Sequence, residues 1–168
     1  SCLVKKPLDK PLGNLYNKTI GLRGVIYLMV LTREQLIAYS IELFLQSPSH
    51  KRWSIGSLET YLLLPIKYNR LRVYMEKDKP VGLVTWCWMS STDSSNFLQD
   101  SYHPSEEDFQ FDDVEGKELW GLELIAPYGH TRQVMRLIYN EIGETYGKQP
   151  VNWRRFHSRD KQRTKRFG

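Results

Sequence analysis

The segment Ser47–Pro48–Ser49–His50–Lys51–Arg52–Trp53 sets an imidazole directly behind a helix-breaking residue. Pro48 disfavours the α region at Ser47, so a helix running into it stops there and the following residues form a turn. A histidine so placed is rigid and exposed. Histidine is also the side chain that exchanges protons near neutral pH, the commonest general acid or base in enzymes. His50 is therefore the candidate base, set against the plainer reading of a solvated loop histidine. Ser47 and Ser49 bring hydroxyls alongside, but no Gly-x-Ser-x-Gly elbow surrounds either, which favours a cap or turn bond over a nucleophile. His103, His130 and His157 lack paired ligand spacing and read as surface or turn residues, so no metal is expected.

Such a base needs elements that hold it in place. Thr32–Arg33–Glu34–Gln35 is a capping-box pattern that predicts a helix from Arg33, with Leu36, Tyr39, Leu43 and Phe44 on one face. Ending near Gln46, it spans about 21 Å and carries the Ser47–Trp53 turn to one place. Residues 57–68 are apolar enough to pack on a core, with Pro65 ending whatever helix they contain. Leu71–Glu76 and Pro80–Met89 read as strands of an antiparallel hairpin turning at Asp78–Lys79, with Pro80 at the first strand position. The two-residue period puts Trp86 and Trp88 on one face and Cys87 on the other.

Residues 90–113 read as a long polar connection of the kind that is functional or mobile. Leu119–Ile125 regains strand character. Thr131 opens a helix with Val134, Leu137, Ile138 and Ile142 inward and Gly147 closing it. Residues 151–156 suit a last strand. Residues 1–23 show no clear period and read as a loosely held arm. The apolar run 25–30 suits a strand, but its length does not separate strand from buried helix. The order of elements indicates α+β, a mostly antiparallel sheet covered by helices.

At 168 residues, 40% of them hydrophobic, the chain is long enough for one domain with a real core. The run 24–31 is far short of the roughly 20 residues that span a bilayer, and the start of the sequence lacks a small-residue cleavage site. A cytoplasmic protein is expected. Cys2 and Cys87 form neither a disulfide framework nor a metal spacing and read as free thiols. The net charge of +5 is uneven. Acidic residues run from Asp100 to Glu118 against Lys117 alone, and basic ones from Lys148 to Arg166 against Asp160. These are solvated faces or a surface for an acidic partner.

Ser-Pro-x-His-x-x-Trp after an amphipathic helix resembles the opening motif of the RTX toxin-activating lysine acyltransferases, the hemolysin-activating family that acylates protoxins before export. Pro80–Val81 leading to Thr85–Trp86 is similar to that family's Pro-Val-x-x-x-x-Trp strand. Leu122–Glu123–Leu124–Ile125–Ala126–Pro127–Tyr128–Gly129 resembles its Asp-x-Ile-Ala-Pro-Phe-Gly segment. The matches run from about Leu36 to Phe156 and make residues 32–158 the acyltransferase domain, with 1–31 outside the resemblance and 159–168 a basic tail. The family's catalytic aspartate falls at Glu123, one methylene longer.

The resemblance implies a GNAT-like fold whose splayed sheet admits an acyl donor between two strands. It also implies fatty acyl transfer from acyl carrier protein to internal lysines of an RTX protoxin, and a homodimer. No cofactor is bound; the carrier's phosphopantetheine thioester is the donor. Attack on a thioester needs a neutral amine, and a lysine ammonium has no lone pair, so His50 acts as base with Glu123 holding its tautomer and offsetting its charge. Whether His50 only moves protons or briefly carries the acyl group stays open. Donor contacts fall at Ser47, Trp86, Gly129, Arg132 and Arg136. The turn around Gly129 has one glycine where a CoA-pyrophosphate turn has several, which fits a carrier protein with its single phosphate. An exposed helix face explains Arg132 and Arg136 as well. Two alternatives remain: a nucleic-acid binding module built on the basic C-terminal segment with Trp153, Phe156 and Phe167 as stacking groups, disfavoured by the acidic segment, and a CoA-dependent GNAT acetyltransferase.

Overall fold

Thr32 starts the first helix as its sequence foretells: its Oγ1 accepts from the Gln35 amide and its own amide donates to Gln35 Oε1, at 3.2 and 2.9 Å. The structure, a computed structural model, describes residues 19–21, 24–112, 115–155 and 163–167. Its strands are β1 (Thr19–Gly21), β2 (Gly24–Leu28), β3 (Leu71–Glu76), β4 (Lys79–Ser90), β5 (Lys117–Ile125), β6 (Val151–Arg155) and β7 (Arg163–Phe167). The helices are α1 (Arg33–Gln46), α2 (Ile55–Leu58), α3 (Leu64–Lys67), α4 (Ser91–Leu98), α5 (Glu106–Gln110) and α6 (Thr131–Tyr146).

The strands form one seven-stranded sheet in the order of the chain. Every neighbouring pair is antiparallel except β5 and β6, which run parallel. A parallel pair cannot be closed by a tight turn and needs a crossover, and α6 supplies it. The apolar run after Gly24 is thus a strand, paired with β3. This is the expected α+β arrangement: a mixed, mostly antiparallel sheet flanked by helices.

Helices cover both faces. Val84, Trp86, Trp88 and Leu119 pack under Val134, Leu137, Ile138 and Ile142 of α6. On the other face Leu71, Val73, Met75 and Leu83 meet Leu43 and Phe44 of α1. Cys87, Met89 and Trp120 of that same face meet Phe97 of α4 and Phe109 of α5. The alternation read from Trp86, Cys87 and Trp88 holds, because a β period of two leaves no choice once both faces are buried.

Three sequence expectations change. Pro65 does not end its helix: α2 runs through a π turn (Glu59–Leu63) into α3, and Pro65 takes an early position where its missing N–H is tolerated. Residues 90–113 are not a plain loop. Ser90 caps α4 through the Asp93 amide, and Phe97 and Phe109 are buried. The acidic residues there are largely used internally. Asp108 is buried and accepts from the Ser105 amide and the Tyr102 hydroxyl, Glu106 pairs with Lys67, and Asp112 pairs with Arg70. In the basic C-terminal tail, β7 adds a strand beside β6. Of the arm read over residues 1–23, residues 1–18 and 22–23 lie outside the described residues, and Thr19–Gly21 is not loose but pairs with β2 as β1.

Candidate active site

Ser47 ends α1 with extended backbone, φ −98° and ψ 118°, as the residue before a proline must. A 3-10 turn, His50–Arg52, follows, and the His50 and Lys51 amides both bond the Ser47 carbonyl at 3.1 Å. The turn brings the His50 ring back over the helix end. It stacks on Phe44 with centroids 5.4 Å apart and planes 8° apart, and tilts against Trp53 at 4.5 Å. Only 10% of its side chain is exposed, so the expectation of an exposed imidazole is corrected: two aromatic neighbours enclose it.

Glu123 arrives from β5, 73 residues away. Its Oε2 lies 2.7 Å from His50 Nε2, and 16% of its side chain is exposed. A register shift explains how it faces α1. Trp86 pairs with Gly121 but Thr85 with Glu123, leaving Leu122 as one extra residue on β5. Gly121 faces Trp153 on the α6 side, whereas Ile125 packs with Leu43 and Phe44. Strict alternation would put 121, 123 and 125 on one face; the bulge flips the order and turns Glu123 toward His50.

The hydrogen bonds define the protonation pattern. A carboxylate accepts only, so Nε2–H donates to Glu123 and the free lone pair sits on Nδ1. Ser47 Oγ meets Nδ1 at 2.5 Å and Ser49 Oγ lies 3.1 Å from it. Ser47 is thus a partner of the base. In this tautomer Nδ1, on the serine side, is the ring nitrogen open to a further proton, with the Glu123 carboxylate against the other nitrogen. Thr85, across from Glu123, is fully buried, and its hydroxyl has no partner among the described residues.

Among the described residues β5 and β6 pair over Leu119–Gly121 and Val151–Trp153, so Glu123 lies two positions past the last paired residue of β5. An imidazole and a carboxylate in contact at this end of β5 can move a proton and offset its charge.

Tyr61, on the π turn, packs on Trp53 at 4.9 Å, and its hydroxyl bonds His103 Nδ1 at 2.9 Å. Burial first, then the charge of Glu123, pushes its phenol up to about 12. No local sequence signal marks this residue; only the fold brings it to Trp53. Burial pushes the Cys87 thiol well up, which keeps this free cysteine unreactive.

The other residues proposed from sequence lie elsewhere. Trp86 is buried on the α6 face with Arg72 over its ring, away from His50. Gly129, φ 87°, makes the turn into α6, a conformation that suits glycine. Arg132 and Arg136 are exposed on α6. His130 sits at the turn into α6, one of its two readings, but is buried at 4% exposure and 3.5 Å from Glu76, which corrects the surface alternative. His157 and Phe156 lie outside the described residues. Trp153 covers Gly121 and donates to Tyr139, and Arg154 pairs with Asp100 at 2.8 Å, so neither is free to stack on a base or track a phosphate. Among the described residues no cluster of three metal-ligating side chains gathers, and no described helix is long and apolar enough to cross a membrane.

A mixed α+β sheet that carries a buried histidine–carboxylate pair is an arrangement suited to group transfer. The profile of the HlyC, RTX toxin acyltransferase family matches residues 32–167, and the chain belongs to that family. It is 26% identical over 96 residues to the leukotoxin-activating lysine-acyltransferase of Aggregatibacter actinomycetemcomitans, which covers 57% of this chain and 55% of the relative. Over 94 residues it is 27% identical to the RTX-III toxin-activating lysine-acyltransferase of Actinobacillus pleuropneumoniae, covering 56% and 52%. An uncharacterized protein of Synechocystis sp. is 24% identical over 98 residues, covering 57% and 64%. The chain thus spans between about half and two thirds of the length of these relatives.

Proposed function

We propose that this chain transfers a fatty acyl group from an acyl carrier protein thioester to the side-chain amine of lysines in an RTX protoxin, in the cytoplasm before export. The observation that carries the reading is the His50–Glu123 pair at 2.7 Å, just past the described pairing of β5 with β6, in a member of this family. The thioester carbonyl and the lysine nitrogen meet at the His50–Glu123 pair. Glu123 holds Nε2–H. His50 Nδ1 accepts the proton that the nitrogen loses as the amide forms, with the Ser47 hydroxyl as neighbour or relay, and returns it to the departing thiolate. The single glycine of the turn into α6 favours the one phosphate of a carrier prosthetic group over the pyrophosphate of CoA. The test is to incubate the protein with acyl carrier protein thioester and protoxin and to map modified lysines by mass spectrometry. Lysine acylation that His50→Ala removes supports the reading; acylation equal in both proteins, or none with carrier thioester but turnover with acyl-CoA, sinks it.

A further inference from the structure

The acyl-transfer reading leaves one proton without a route. A lysine reaches the site as an ammonium, with its ordinary pKa near 10.4. It must lose one proton before it has a lone pair and a second as the amide forms. The departing thiolate takes up one, so one proton per turnover leaves the site. His50 holds one proton at a time and is engaged with the second. Its ring and Glu123 are 10% and 16% exposed, which leaves little water to take the first.

A second imidazole stands at the far end of the same aromatic wall. The rings run Phe44, His50, Trp53, Tyr61, with centroids 5.4, 4.5 and 4.9 Å apart, and the Tyr61 hydroxyl lies 2.9 Å from Nδ1 of His103. Tyr61 is half-buried and its ring lies edge-on to His103, which is exposed. The pair thus begins one ring beyond Trp53, the ring that packs on His50, and ends on an exposed imidazole.

We propose that Tyr61 and His103 form a proton exit: the phenol oxygen accepts the first proton of the lysine ammonium as its own hydroxyl proton passes to His103 Nδ1, and His103 releases that proton to solvent. The phenol is unchanged by the step. The ammonium becomes an amine, the imidazole an imidazolium and then an imidazole again. The proposal rests on the acyl-transfer reading and adds Tyr61 and His103 to it.

The charges around Tyr61 fit a relay. Glu123 and Asp100 make its ionisation harder, with buried Cys87 adding to this, and Arg154 makes it easier; with burial first, the balance keeps the phenol protonated at neutral pH. A hydroxyl that stays protonated can pass a proton without storing charge.

The test uses two acceptors. Hydroxylamine is already neutral at neutral pH and needs no first deprotonation, whereas lysine does. In single-turnover assays with acyl carrier protein thioester, Tyr61→Phe and His103→Gln are expected to lose roughly 10-fold or more in transfer to protoxin lysine. Transfer to hydroxylamine should stay near the wild-type rate, and transfer to lysine should recover as the pH is raised toward about 10.4. Phenylalanine keeps the ring on Trp53, and glutamine keeps an acceptor for the phenol but cannot carry a proton. Equal loss with both acceptors, or no loss with either, overturns the relay. Wild-type protein inactive toward both acceptors would instead overturn the acyl-transfer reading, and the relay with it.

Discussion

His50 Nε2 and Glu123 Oε2 meet at 2.7 Å, although one lies behind α1 and the other on β5. Glu123→Gln keeps the shape and removes the charge. A carboxylate that orients a histidine base is worth up to on the order of 10⁴ in a serine-protease triad, an upper scale for this site. Acyl transfer is expected to fall at least about tenfold, roughly 1.4 kcal/mol of barrier. Glu123→Asp keeps the charge but withdraws it by about one carbon–carbon bond, so its loss should be smaller than that of the glutamine variant. Single-turnover rates across pH check both; a fully active Glu123→Gln would show that His50 works without the carboxylate.

His50→Ala is expected to cost about 10²–10⁴ in transfer rate. It should also lower stability, because the ring is packed between Phe44 and Trp53 rather than exposed. A loss of about 1–3 kcal/mol is in line with a buried side chain of this kind. Thermal melting checks it, at about 2–4 °C per kcal/mol for a chain of this size. An unmoved melting curve would mean that the ring contributes no packing.

Two glycine substitutions should have opposite signs. A Cβ on Gly121 would run into the Trp153 ring, whose indole is pinned by its bond to Tyr139. Gly121→Ala is expected to destabilise by about 1–3 kcal/mol through overpacking, and to reduce transfer by disturbing β5 two residues before Glu123. Gly143 lies within α6 with open space where a Cβ would go. Gly143→Ala should stabilise by about 0.5–1 kcal/mol. Denaturant titration of the pair separates the two cases, and equal effects would contradict the packing described.

Alkaline stability follows from buried phenols. Burial is the first cause that pushes Tyr61 and Tyr146 up to about 12, and it drives Tyr74 higher still. The folded state therefore holds these protons more tightly than the unfolded chain, whose tyrosines titrate near 10. Their contribution is complete below pH of about 10 and is lost as the pH climbs toward and past 12. Phenolate absorbance should show a late-titrating group of tyrosines that appears together with unfolding. Titration of all tyrosines near 10 with the fold intact would contradict it.

What was legible in the sequence was local. The Thr32 capping box, the stop before Pro48, the β3–β4 hairpin and the inward face of α6 all depend on residues a few positions apart, where backbone sterics and period decide the outcome. Pro65 and residues 90–113 misled for the same reason: a local rule was applied where tertiary packing favoured a π turn and two short helices that seat Phe97 and Phe109. The residues of the base were readable, but its environment was not. Exposure of His50 depends on Phe44 and Trp53 closing over it, and the union with Glu123 depends on one extra residue at Leu122 that turns the strand over. Tyr61 and His103, 42 residues apart, carry no motif at all. Periodicity states which side of an element a residue takes; a bulge, a sheet order and a crossover helix decide which other side chains wait there, and those are properties of the assembled chain alone.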